Sequence, residues 1–201
     1  MLRILGLLVS ACLLLGLVSC TKGSSGTIPS SVTTLSSAPQ VPSLVLAGHT
    51  GWVTAVSWTP DGALLASSSG DYVTYDDTVR LWKADGVPIA VFQVPAAPVY
   101  ALRWSPDGTI LAAGAQEGDV ALLGRDGTLL RRLKSVGAVY NLAWSPDGET
   151  LATGSIVHTD ENVVQWWDPY GAVLLKTFQT DASGGKFYNL AWSPDGGFLA
   201  A

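Results

Sequence analysis

Beyond residue 20 the chain contains no cysteine; its two, Cys12 and Cys20, both lie in the first twenty of 201 residues. A folded body downstream of them can form no internal disulfide, so its stability must come from packing. Nor does any stretch past the N-terminus sustain apolar residues at the 3.6-residue spacing of an amphipathic helix, and almost no helix is expected there. Charge is sparse, with 11 Lys and Arg against 16 Asp and Glu. Removing a leader that contains Arg3 leaves 10 basic residues and a net charge of −6. That speaks against phosphate-backbone binding, because nucleic acids call for a basic face. Catalytic signatures are missing as well: there is no Gly-x-Ser-x-Gly elbow, no glycine-rich phosphate loop opening a helix, and no histidine pair at ligand spacing. No catalytic residue, metal site, cofactor or nucleic-acid partner is expected.

What the chain does contain is one short phrase written four times: Trp58-Thr-Pro-Asp-Gly62, Trp104-Ser-Pro-Asp-Gly108, Trp144-Ser-Pro-Asp-Gly148 and Trp192-Ser-Pro-Asp-Gly196. Each follows one apolar run (VTAVSW, VYALRW, VYNLAW, FYNLAW) and precedes another (ALLAS, TILAA, ETLAT, GFLAA). Ser or Thr, Pro, Asp and Gly in that order suit positions i to i+3 of a type I turn, with proline fixing φ at i+1 and glycine tolerating a positive φ at the exit. Apolar runs meeting at such a turn predict an antiparallel hairpin. A second turn, at Asp85-Gly86, Asp126-Gly127 and Asp168-Pro-Tyr-Gly171, separates two further strand-like runs. Each unit thus holds four strands, a to d, and the Gly86, Gly127 or Gly171 turn joins c to d. Four antiparallel strands repeating about every 40–45 residues are the signature of a propeller blade.

Gly48-His49, the Trp58 turn, the small pair Ala66-Ser67 and the run Asp76-Asp-Thr-Val-Arg-Leu-Trp82 follow the order and spacing of the WD40 repeat, which residues 44–201 resemble. The resemblance implies an all-β propeller of four-stranded antiparallel blades, three complete here with part of a fourth, and seven in the whole protein. It also implies a buried hydrogen-bonded set in the first blade, made of His49, strand-b Ser67, the turn residue Asp76 and strand-c Trp82. Later units depart from the pattern. The Trp-Asp pair stands only at Trp167-Asp168, and nine residues before Trp104, Trp144 and Trp192 stand Pro95, Ser135 and Ser183 in place of His. Those blades are expected to rely on apolar packing, and looser S/T-P-D-G repeats also occur in TolB-like propellers. Residues 44–47 read as a lone strand, and the last unit stops at Ala201 inside strand b. The expectation is the N-terminal part of a longer propeller, monomeric when complete; the competing reading is two copies assembling one ring.

At the other end, residues 1–20 carry Arg3, an apolar run from Ile4 to Val18, and Ser19-Cys20. A positive start and about 15 apolar residues describe an export signal better than a spanning helix, which needs about 20. Leu17-Val18-Ser19-Cys20 resembles the lipobox of bacterial lipoproteins. That resemblance implies cleavage before Cys20, a diacylglyceryl group on its sulfur and usually an acyl chain such as palmitate on the new N-terminus. Several acyl chains anchor a protein stably where one binds only marginally. The alternative is an uncleaved membrane anchor with an incidental cysteine. Residues 21–43, rich in Ser, Thr, Gly and Pro with one charge and no aromatic, cannot bury enough surface to fold and read as a flexible tether.

Repeat lengths point to a binding face. Trp58, Trp104, Trp144 and Trp192 are 46, 40 and 48 residues apart, and the extra residues fall in the b–c loops of units one and three and in the third d–a connection. Strands alternate in direction, so b–c and d–a loops share one end of every blade, where insertions mark the expected contact face. Strand a begins there with Trp52-Val-Thr54, Pro98-Val-Tyr100, Ala138-Val-Tyr140 and Lys186-Phe-Tyr188, each Val or Phe three residues before an expected core position (Val56, Leu102, Leu142, Leu190). That spacing breaks alternation and predicts a bulge re-aiming the residue between. The resemblance places Thr54, Tyr100, Tyr140 and Tyr188 around a central channel, as a contact surface of apolar rings with polar tips or as inter-blade packing. Trp52, Tyr75 and Lys186 complete the candidate set. The loop carrying Asp71, Asp76 and Asp77 lacks the order of a calcium loop. His158-Thr-Asp160-Glu161 reads as a solvated loop.

The sequence therefore points to a lipid-anchored, extracytoplasmic WD40-like scaffold in the cell envelope, on the outer membrane if the host has one, that binds a protein or peptide through its loop-rich face. Two other classes stay open: a propeller lyase or hydrolase whose active residues lie in further blades, and a TolB-like accessory in envelope transport or assembly.

Overall fold

The computed structural model describes residues 44–70, 73, 76–94, 98–157, 161–180 and 189–201. Residues 1–43, and with them the leader, Cys20 and the tether, lie outside that set. All its regular elements are strands, and no helix among the described residues is long and apolar enough to cross a membrane. The first sheet holds β1 (Val53–Trp58), β2 (Leu64–Ser69), β3 (Thr78–Lys83) and β4 (Pro88–Gln93); the second holds β5 (Val99–Trp104), β6 (Ile110–Ala115), β7 (Asp119–Gly124) and β8 (Leu129–Lys134). The third holds β9 (Ala138–Trp144), β10 (Leu151–Val157), β11 (Glu161–Asp168) and β12 (Val173–Thr180), and β13 (Ala191–Trp192) pairs with β14 (Leu199–Ala200). Every pairing is antiparallel between successive strands. These are three propeller blades and the inner hairpin of a fourth.

The Trp-Ser-Pro-Asp-Gly turn is built the same way each time. The Gly62, Gly108, Gly148 and Gly196 amides donate to the Thr59, Ser105, Ser145 and Ser193 carbonyls at 2.8–2.9 Å, closing the predicted type I turns. All four glycines have positive φ, between 67° and 76°. The turn hydroxyl reaches the Asp carboxylate two residues on, as in Ser105 to Asp107 at 2.5 Å, and accepts from the amide five residues on, as from Ile110 at 3.0 Å. The third c–d turn differs from the first two, where Gly86 and Gly127 carry the positive φ. Its positive φ falls on Ala172 (55°), while Gly171 is needed for close approach, because a Cβ there would stand 2.6 Å from Asp168 Oδ2.

The core lies between blades. Leu81, Val99, Leu102, Leu111 and Leu123 pack between the first and second, and Leu122, Val139, Leu142, Leu151 and Trp167 between the second and third. Each such buried side chain contributes about 1.5–3 kcal/mol. Small residues on the b strands let the next sheet approach: a Cβ on Gly114 would come within 2.6 Å of Val139 Cγ1. The motif tryptophans tie the blades in sequence. Trp104 Nε1 donates to the Ser57 carbonyl (3.2 Å), Trp144 to that of Arg103 (3.1 Å) and Trp192 to that of Ala143 (3.1 Å).

Two expectations need correction. Val56 is 55% exposed instead of core, because among the described residues no sheet covers its face of the first blade. Residues 44–47 form no strand; a strand needs a paired neighbour, and none is present for them among the described residues.

Candidate functional site

The inner strand of each of the three complete blades is bulged where the valine spacing predicts it, and the fourth predicted bulge, at Phe187, lies outside the described residues. The register of β1 shifts between Val53 and Ala55, that of β5 between Val99 and Ala101, and that of β9 between Val139 and Asn141. The residues thrown out of alternation are Thr54, Tyr100 and Tyr140. Tyr100 and Tyr140 stack, with ring centroids 4.8 Å apart and planes 7° from parallel. An offset stack of this kind adds about 0.5–1.5 kcal/mol beyond the area it buries. The Tyr100 hydroxyl donates to Gln116 Oε1 at 2.8 Å, which fixes its ring, while Tyr140 stays 42% exposed.

Thr54 bridges to the next blade instead, its hydroxyl donating to the Val99 carbonyl and lying 3.0 Å from Ser68 Oγ. The inner strands together line a groove of about 260 Å³ that includes Thr54, Val56, Tyr100, Arg103, Tyr140 and Asn141. Trp52, just before β1, is 73% exposed. The structure thus brings Thr54, Tyr100 and Tyr140 to one groove; packing between blades and an accessible aromatic surface coexist in these side chains. Tyr75, Lys186 and Tyr188 lie outside the described residues, as do Asp71 and residues 158–160 of the two long b–c loops.

The first blade's polar set is a directed chain. The Trp82 indole donates to Ser67 Oγ at 2.9 Å, Ser67 lies 2.8 Å from His49 Nε2, and His49 Nδ1 lies 3.1 Å from Asp76 Oδ2. A carboxylate can only accept, so Nδ1 carries the proton and Nε2 receives the Ser67 hydroxyl. Asp76 also accepts from the Thr50 amide at 2.6 Å and the Thr78 hydroxyl at 2.6 Å. Burial pushes the His49 imidazole below its usual 6.5, against the pull of Asp76. Burial acts to raise the Asp76 carboxyl, but the Thr78 hydroxyl and the Thr50 and Gly51 amides outweigh it and hold it below 3.8. Ser67, His49 and Asp76 have the atom order of an acyl-transfer triad. Yet Ser67 is buried and its oxygen already receives an indole N–H, so this set is closed to a substrate. Among the described residues no three His, Cys, Asp or Glu side chains are placed to hold a metal ion.

The second and third blades do not solve the problem alike. In the second, Ala113 and Leu123 replace Ser67 and Trp82, and both are buried among apolar neighbours, as expected. The third carries a neutral polar set that sequence reasoning missed. Trp167 Nε1 donates to Thr153 Oγ1 at 3.1 Å, and Ser135 donates to Gln165 Oε1 at 2.8 Å while lying 2.6 Å from Ser155 Oγ. The Val136 amide also donates to Gln165 Oε1, at 3.1 Å. The signal was present: Thr153 and Ser135 stand at the positions of Ser67 and His49, and Trp167 at that of Trp82.

A family model described as WD domain, G-beta repeat matches the chain three times, at residues 40–83, 86–129 and 127–168. No curated protein matches it.

Proposed function

The chain belongs to the WD40 repeat family, and from that premise we propose that it is a scaffold held at a membrane surface by lipid on Cys20, binding a protein partner on its b–c and d–a loop face. WD40 blades of this kind serve protein interaction in general. The observation that carries the choice of face is the stacked Tyr100–Tyr140 pair, raised on bulges beside an open groove, with the exposed Trp52 indole at the start of β1. Tyrosine and tryptophan combine large apolar area with a polar tip and few rotors, which suits a contact surface. The role is non-catalytic, and its site is the cell envelope outside the cytoplasm, on the outer membrane where the host has one.

The membrane part rests on Leu17-Val18-Ser19-Cys20 after a short apolar run. Metabolic labelling with a fatty-acid probe tests it: the wild-type chain takes up label and Cys20→Ala does not, and label persisting in the variant refutes lipidation there. The binding part is tested by the double variant Tyr100→Ala/Tyr140→Ala in a pull-down from the cell envelope. Loss of the captured partner with a melting temperature within a few degrees of wild type supports the reading. A collapse of the melting temperature assigns the pair to blade packing instead.

A further inference from the structure

The outer edge of each complete blade, formed by strand d, carries the same device. One residue there has no place in the pairing with strand c: Ile89 between the partners of Leu81 and Trp82, Leu130 between those of Leu122 and Leu123, and Leu175 between those of Trp166 and Trp167. A bulge leaves its extra residue unpaired and re-aims the side chain. All three are large aliphatics, and all three are exposed, by 36%, 44% and 55%. A bulge by itself blunts an open sheet edge against pairing with another strand, and a charge there does so better than an aliphatic. Edge protection therefore explains the bulges and leaves the aliphatic side chains unexplained. The second blade is the clearest case: sheets pack on both its faces, and Leu130 still stands out.

Charge on these strands is one-sided. β4, β8 and β12 contain none of the chain's 16 Asp and Glu, and they carry Arg131, Arg132, Lys134 and Lys176. Lys134 is paired with Asp119. Arg131 and Arg132 are exposed and have no carboxylate partner among the described residues. Arg131 donates to the Tyr170 and Leu130 carbonyls, and Arg132 lies 6.0 Å from the centre of the Phe92 ring. Asp126, in the turn before β8, accepts from the Thr128 amide and hydroxyl. At 0.1 M salt a charge is felt over about 10 Å, so a surface facing this edge meets the edge's own cations and not the chain's net charge of −5.

We propose that this edge, centred on Leu130, Arg131 and Arg132 of β8, rests against an anionic bilayer, its aliphatic side chains entering the acyl boundary and its guanidinium groups meeting lipid phosphates. Apolar area and attraction to anionic lipid add in such a contact. Side chains of one chemistry repeated blade after blade suit a partner that is itself uniform, as a lipid surface is and a protein surface is not. The proposal rests on the lipid-anchor reading for proximity alone. The 23 residues between Cys20 and Leu44 can span at most about 80 Å, so an anchored body meets the bilayer often enough for a weak contact to count. The tyrosine groove is lined by the a strands, at the other edge of the same sheets.

The test places a polarity-sensitive nitrobenzoxadiazole label at Leu130→Cys in the full chain carrying Cys12→Ser and Cys20→Ser. The result is then independent of lipidation, which the fatty-acid probe tests separately. Vesicles of phosphatidylcholine alone are compared with vesicles that also hold about 30% phosphatidylglycerol. On the anionic vesicles the emission shifts to the blue and quenching by iodide falls about threefold. On neutral vesicles, and for a label at Glu149→Cys in the a–b turn, neither changes. Arg131→Gln/Arg132→Gln raises the lipid concentration needed for half the shift about tenfold. Arg131 also holds the Tyr170 carbonyl, so melting curves identify a double variant that fails to fold. Arg132→Gln alone then replaces it, with an expected change of about threefold. A label at position 130 that stays wet on both vesicles overturns the proposal. So does shielding that is equal on the two, equal at position 149, or unmoved by the charge variants.

Discussion

In the first blade the space between strands b and c is filled by an ionised carboxylate, an imidazole, a hydroxyl and an indole in series; at the matching positions of the second blade stand Ala113 and Leu123. The backbone around them is the same, with four strands, the same turn and the same bulge. The third blade takes a middle course with neutral groups, Ser135, Thr153, Gln165 and Trp167. Polarity at this position is thus a local choice that the architecture tolerates, while the tryptophan tie to the preceding sheet is kept wherever that sheet is present. The choice has consequences, since a satisfied polar set specifies one arrangement and a broken one leaves buried groups unpaired.

The comparison breaks most clearly at Asp76. Asp76→Ala leaves His49 Nδ1, the Thr50 amide and the Thr78 hydroxyl without their acceptor. A loss of about 3 kcal/mol is expected, read from denaturant unfolding. Gln165→Leu in the third blade removes the acceptor of one hydroxyl and one amide and should cost about 1–2 kcal/mol, since every group there is neutral.

Acid sharpens the contrast further. His49 has a folded-state pKa below 6.5, so the unfolded chain binds the proton first, and stability present above that value declines as pH falls through it. Asp76 adds to the loss below 3.8. So do the turn carboxylates, with Asp61 lowered to about 2 by the Thr59 hydroxyl, the Ala63 amide and Arg125. Melting temperature should therefore drop between pH 7 and pH 5.5 in the wild type and stay level in that window in His49→Gln. A slope that survives this substitution would sink the assignment. The smallest effect is a gain: Ala172→Gly relieves the left-handed φ of 55° and should raise stability by about 0.5–1 kcal/mol, visible as a small rise in melting temperature.

Much of this was legible in the sequence because the signals were local and repeated. The four turns, the strand alternation and the bulges at Thr54, Tyr100 and Tyr140 follow from residues within one hairpin. The first blade's polar set was legible by resemblance, since His49, Ser67, Asp76 and Trp82 stand together in that pattern. The failures concern what lies across from a residue. Val56 has the same spacing as Leu102 and Leu142, yet burial depends on whether another sheet covers it. Gln165 lies in the register position of Arg80, where the pattern looked for no acceptor, so its pairing with Ser135 needed the third dimension. In the third c–d turn the Asp168 carboxylate accepts the Tyr170 and Gly171 amides, and the left-handed φ falls on Ala172, one residue past the glycine.

The indole ties run in one direction: each reaches back to a carbonyl made earlier in the chain, 47, 41 and 49 positions upstream. A hairpin leaving the ribosome therefore finds its docking point already in place and need not wait for anything downstream. Translation order and assembly order coincide, so each blade docks on one already made. Stalled nascent chains ending just beyond Gly148 should already protect Trp104 from solvent, and quenching of that indole is the measurement that decides it.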